Sequence, residues 1–257
     1  MKIDLNSDLG ESFGAWTMGD DPAMLDIVTS ANVACGFHAG DPLVMHKTME
    51  AAKARGVSVG AHPGFLDLWG FGRRTIMGEK PSDIEKHVTY QIGAAMAMAA
   101  SVGIKLAHVK THGMLGNLSM EDADLAAAVA CAVRAVDRDL ILVVWPQLEL
   151  EKAGLAAGLR VVREIYADRT YEENGALTHR SKPGAVIHDP EMATARILRS
   201  IEDQSIIASS GKRIPVQFDT ICVHGDNPHA VAMAASLRDG IVAAGHELVP
   251  FPQILNG

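Results

Sequence analysis

Short apolar runs alternate with longer stretches of helical periodicity from one end of the chain to the other. Continuous or period-two runs rich in Val, Ile and Leu predict strands over residues 2–6, 31–35, 57–61, 106–110, 140–144, 161–166 and 220–223. The patterns between them predict helices over residues 22–30, 42–55, 81–102, 120–136, 146–157, 190–203 and 228–244. Most of these helices open at or near a proline, whose fixed φ and missing donor suit a first turn. Gly56, Gly103, Gly158 and Gly245 follow helical patterns where a left-handed residue commonly closes a helix. Asp41, Ser82, Asp189 and Asn227 are placed to cap helices or occupy first turns, and Asp41 suits a catalytic role equally well.

Regular strand–helix alternation predicts an α/β protein with a parallel sheet. An open doubly wound sheet and a closed barrel both fit the pattern. The lack of a glycine fingerprint after the first strand favours a (β/α) barrel of about seven parallel strands. No linker or composition shift divides the 257 residues, so one barrel domain over residues 1–257 is expected. Residues 205–215 fit neither period and are expected to leave the barrel as a hairpin.

Composition narrows the partners. A net charge of -8 argues against non-specific binding to nucleic acid or to anionic membranes, and small molecules fit better. No run reaches the length of a membrane span and no leader pattern opens the chain, so a cytoplasmic protein is expected. Cys35, Cys131 and Cys222 are odd in number, lie in apolar runs and lack metal spacing, as expected of reduced, buried thiols.

Four apolar runs end in a histidine beside a small residue: Gly36-Phe37-His38, Gly60-Ala61-His62, Thr111-His112-Gly113 and Val223-His224-Gly225. If the runs are parallel strands, their carboxyl ends share a rim. The histidines then converge with Asp4, Asp8, Glu11, Asp41, Asp67, Asp168 and Asp226. Crowded carboxylates call for a cation or a substrate ammonium group, and histidine with carboxylate can bind a divalent metal or move protons. Gly70-Phe71-Gly72-Arg73-Arg74 presents two guanidinium groups suited to phosphate or carboxylate. Lys110, at the end of an apolar strand, needs an anion, which a ligand is expected to supply. Arg169 can pair with a carboxylate or with substrate. The chain has no P-loop, dinucleotide fingerprint, G-x-S-x-G or H-E-x-x-H pattern, which excludes the common enzymes built on them.

At these residues the chain resembles the LamB/YcsF family, which is associated with the A subunit of prokaryotic ATP-dependent 5-oxoprolinase. The resemblance runs through Asp4-Leu5-Asn6-Ser7-Asp8-Leu9-Gly10-Glu11, Asn32 to Pro42, Gly60-Ala61-His62-Pro63-Gly64, Gly70 to Arg74, His108-Val109-Lys110, Ala167-Asp168-Arg169 and Val223-His224-Gly225-Asp226. One stretch departs from it: Thr111 and Gly116 stand where the family has proline and tyrosine, while Lys110, His112 and Asn117 are kept. The resemblance implies a barrel of the glycoside hydrolase/deacetylase group. It also implies cleavage of the 5-oxoproline lactam to L-glutamate, driven by ATP, in a complex with the B and C subunits of 5-oxoprolinase. Within that expectation Arg73, Arg74, Lys110 and Arg169 bind phosphate or the substrate carboxylate. Asp8, Glu11, His38 and His62 activate water, directly or through Mg²⁺ or another divalent ion held by Asp8, His38 and His62. His112, Asp168 and His224 complete the catalytic set. The alternatives are a metal-dependent deacetylase or carbohydrate hydrolase, and a non-catalytic binding subunit. Association of like chains stays open.

Overall fold

In the computed structural model, which describes residues 1–76, 78–225 and 230–255, ten strands and nine helices follow one another. The strands are β1 (Lys2–Leu9), β2 (Ser30–Ala34), β3 (Ser58–His62), β4 (His108–Val109), β5 (Ile141–Val144), β6 (Arg160–Tyr166), β7 (Ser205–Ile207), β8 (Arg213–Pro215), β9 (Thr220–His224) and β10 (Glu247–Leu248). The helices are α1 (Asp21–Leu25), α2 (Pro42–Ala54), α3 (Pro81–Ser101), α4 (Gly113–Ser119), α5 (Ala123–Val136), α6 (Glu149–Ala156), α7 (Pro190–Asp203), α8 (Ala230–Ala243) and α9 (Phe251–Leu255).

β1 to β6 pair in sequence order, β9 follows β6, and β9 returns to β1, every pairing being parallel. That closure settles the choice between barrel and open sheet. β10 adds in parallel to the start of β1, and β7 pairs with β8 as an antiparallel hairpin outside the barrel. Asp41 and Asp189 cap α2 and α7, each accepting two backbone N–H bonds. Ser82 does not cap: Lys80 precedes α3, with Pro81 in its first turn. The predicted helix over 22–30 shrinks to α1, because β2 already begins at Ser30. Asp226, Asn227 and Pro228 lie outside the described residues.

Side chains alternate along β1. Ile3, Leu5 and Leu9 join the apolar layer under the helices, whereas Asp4, Asn6 and Asp8 enter the barrel. The interior is therefore a hydrogen-bonded column rather than the layers of branched aliphatics usual in such barrels. Its amino-terminal end is apolar, where Ile141, Val143 and Val162 meet Phe251 from α9. Above that plug Asp4 accepts bonds from the hydroxyls of Thr29, Ser30 and Thr220. Asn6 donates to Thr220 and Glu164, Asn32 donates to Asn6 and Asp8, and His108 donates to Asn32. A Cβ on Gly60 would lie 2.3 Å from the His108 ring, so the bare backbone of β3 is what gives that imidazole its place.

Candidate active site

The column ends at the carboxyl rim beneath a cavity of about 240 Å³. Asp8, His62, Lys110, His112 and His224 line it, joined by Tyr166 and Trp145 from β6 and the end of β5. Asp4 is not among them. It lies two turns of the strand pleat deeper, held by hydroxyls, because alternation that points it inward also places it below Asn6 and Asp8. Asp41 is spent on the α2 cap and on the Gly14 N–H. Asp67 braces its own turn through Arg74 and the Gly70 N–H. Arg74 is thus taken by Asp67 and stands outside the cavity walls, while Arg73 lines them.

Lys110 is 3% exposed, and its anions come from the protein instead of from a ligand. Its Nζ lies 3.1 Å from Asp8 and 3.0 Å from Glu164, and it donates to the Cys222 sulfur at 2.9 Å. Burial opposes the ammonium charge, but Asp8 and Glu164 win, and the Lys110 pKa stands well above its ordinary value. Burial likewise opposes the Asp8 charge, yet His62 and Lys110 hold its carboxyl well below the usual range. Removing one member of such a buried pair typically costs about 3–5 kcal/mol.

Beside this pair, Glu11, His38, His62 and His112 bring one ligand atom each to within 4.8 Å of one another. The tautomers follow from two carbonyls. His62 Nδ1 lies 2.7 Å from the Lys110 carbonyl and His112 Nε2 lies 2.8 Å from that of Phe71, so both nitrogens donate. In the neutral rings, the lone pairs of His62 Nε2 and His112 Nδ1 then face each other at 3.1 Å. Glu11 stands 3.4 Å from His112 Nδ1, and Asp8 stands 3.3 Å from His62 Nε2. Acceptors gathered in this way require a cation, either a proton or a divalent ion.

Three imidazoles and a carboxylate, two of the rings oriented by backbone carbonyls, match the donor chemistry of a zinc-type site. His38 stacks on His112 with centroids 3.7 Å apart and planes within 3°. Parallel rings aim their lone pairs along separate planes, so a single ion takes both only after one ring turns. Gly72, at φ +62°, backs this stack: a Cβ there would lie 2.8 Å from His112 and 2.9 Å from His38. Burial and the neighbouring imidazoles keep His38 and His112 well below the ordinary histidine pKa. His38 and His62 therefore meet as the sequence suggested, but with Glu11 and His112, while Asp8 bridges His62 to Lys110.

Across the cavity, His224 Nδ1 donates to Asp168 at 2.7 Å. Asp168 is buried, which opposes its charge, yet His224 beside it draws its pKa below the ordinary value. The bond leaves His224 Nε2 to work on a ligand. Trp145, His179 and Arg180 were not singled out as site residues from sequence. Trp145 directly follows a strand, a position that signals the rim, whereas His179 and Arg180 sit in a loop without any periodic mark. Thr111 and Gly116, the two departures from the family pattern, both line the cavity and touch: a Cβ on Gly116 would lie 3.1 Å from the Thr111 carbonyl.

Comparison with known proteins finds relatives over nearly the whole chain. The chain is 54% identical over 251 residues to the 5-oxoprolinase A subunit of Rhodopseudomonas palustris (strain BisB5), covering 98% of this chain and 99% of that one. It is 55% identical over 243 residues to the protein of the same name from Gluconobacter oxydans (strain 621H), covering 95% of each. The crystal structure of the lactam utilization protein from Thermus thermophilus superposes with a TM-score of 0.92 at 44% identity, covering 98% of this chain and 100% of that one. A T48 deacetylase solved with substrate shares the fold alone, with a TM-score of 0.51 at 13% identity. The LamB/YcsF family model matches residues 3–256, and the chain belongs to the LamB/YcsF family.

Proposed function

We propose that this chain is the A subunit of an ATP-dependent 5-oxoprolinase, working with the B and C subunits to open the lactam of 5-oxoproline to L-glutamate in the cytoplasm. The observation that carries the reading is one cavity in which an Asp168–His224 pair faces the His62–His112 cluster. It occurs on a chain whose relatives, over nearly their whole length, are named as the A subunit of 5-oxoprolinase.

A five-membered lactam resists water because its amide is stable. Transfer of the ATP γ-phosphoryl group to the ring carbonyl oxygen, releasing ADP, makes the carbon electrophilic. Water then adds to that carbon, its proton passing to His224 Nε2, and Asp168 stabilises the imidazolium. The C–N bond breaks as His224 returns the proton to nitrogen, leaving γ-glutamyl phosphate. A second water releases L-glutamate and inorganic phosphate. Lys110, bound between Asp8 and Glu164, holds the Asp8 carboxylate against His62 at the cavity wall. Glu11, His38, His62 and His112 would hold a divalent ion, which when bound supplies a Lewis acid for the carbonyl side of the substrate.

The test is co-expression with candidate B and C subunits, followed by an assay of L-glutamate released from 5-oxoproline with and without ATP. Release only from the ATP-supplied mixture is expected. His62→Ala and Asp168→Asn should each lower turnover about a hundredfold or more while the assembly remains intact. Full turnover in both variants would remove this cavity from the reaction. ATP-independent release of acetate from acetylated sugars by the chain alone would favour the deacetylase reading instead.

A further inference from the structure

The segment between β6 and α7 supplies two guanidinium groups to the cavity wall, those of Arg169 and Arg180. Arg169 is 4% exposed. Its Nε donates to the Ala185 carbonyl and one Nη to that of Thr178, so two of its five N–H groups go to uncharged acceptors. The adjacent carboxylate, Asp168, is engaged by His224. Arg180 is half-buried and forms no hydrogen bond or ion pair among the described residues.

Two like charges thus share one cavity wall, with Asp168 attracting both but hydrogen-bonded to neither, which leaves N–H donors for an anion. Burial, followed by the neighbouring Arg180 charge, lowers the Arg169 pKa from its ordinary value. Lys110 cannot provide the matching site, because Asp8 and Glu164 already neutralise it.

We infer that Arg169 and Arg180 form a binding site for a doubly charged phosphoryl group carried by a small ligand. Two guanidinium groups outweigh the single Asp168 carboxylate near them, and the forked donors of arginine fit tetrahedral phosphate oxygens. The ligand is the phosphorylated five-membered ring of the reaction above, a ring small enough for a cavity of about 240 Å³. The inference rests on the phosphorylated-lactam reading above and names the part of the site that recognises that species.

Direct binding of inorganic phosphate and of ADP to the full chain, measured by calorimetry without its partners, tests the site apart from turnover. Wild type should bind phosphate, and more tightly as pH rises and the dianion forms. Arg180→Gln should weaken phosphate binding about tenfold or more. Lys182→Gln removes a charge from the same segment where Lys182 pairs with Glu172, and should leave phosphate binding unchanged. Absence of phosphate binding by wild type, or equal loss in the Arg180 and Lys182 variants, would overturn the site. ADP binding tighter than phosphate and dependent on Arg180 would overturn the assignment to a phosphorylated ring. If phosphate binding follows Arg180 while the assembled enzyme releases no glutamate, the site stands and the lactam reading falls.

Discussion

Asp4 shows how depth within one strand separates residues of the same type. It shares the inward face of β1 with Asp8, yet lacks a nearby cation. Burial pushes its pKa up from 3.8 to about 7, against the pull of three hydroxyl donors and with Glu164 adding repulsion. Between those pH values the unfolded chain has released the proton while the folded chain retains it. Stability therefore falls as pH rises, by up to about 1.4 kcal/mol per pH unit, and levels off above pH 7. Asp4→Asn should remove that slope. Urea midpoints measured from pH 4.5 to 8 would show the variant gaining on wild type, and parallel curves would mean that Asp4 stays charged throughout. Residue types at the rim were legible because histidines and acids at strand ends recur four times. Their pairings were not: nothing in local sequence says that Lys110 meets Glu164, or that Arg74 is taken by Asp67. Cys131 corrects a simpler expectation, since it falls on the exposed face of α5 while Cys35 and Cys222 are buried.

Element boundaries followed the chemistry of their ends. Gly56, Gly103, Gly158 and Gly245 all take positive φ, as the stop signals required. Asp41, which sequence left open between cap and catalyst, is a cap: its Oδ1 accepts from the N–H groups of Leu43 and Val44. Asp41→Ala should lower stability by about 1 kcal/mol and leave turnover of the assembled enzyme intact. A chemical-denaturation curve beside an activity assay checks both, and a collapse of activity in a folded variant would restore the catalytic assignment. α4 escaped prediction because its seven residues include two glycines and no capping side chain, so it carries no helical signature. β10 and α9 escaped because two-residue and five-residue elements are too short for periodicity to register.

The whole molecule is organised by a polar column closed at one end by Phe251 and open at the other as the candidate active site. Phe251 packs against Ile141, Val143 and Val162 and meets the His108 ring edge-on at 4.4 Å. Phe251→Ala should cost about 3–5 kcal/mol, the usual range for emptying an aromatic site in a core. The space so emptied would border the His108–Asn32 bond, so the loss should spread up the column to the rim. Guanidinium denaturation with amide exchange at β3 and β4 would reveal it. A stability change under about 1 kcal/mol would show that the column holds without its plug.

Alternating hydrophobicity, proline starts and glycine stops determined the number of barrel strands, most helices and the rim as the place for chemistry, because each depends on residues close in the chain. Closure of β9 on β1, the depth of Asp4, the Glu11–His38–His62–His112 corner and the pair Arg169 and Arg180 were decided only in three dimensions. Each rests on charges and hydrogen-bonding groups brought together from separate strands and loops. Their meeting depends on barrel closure and register, which no local pattern encodes.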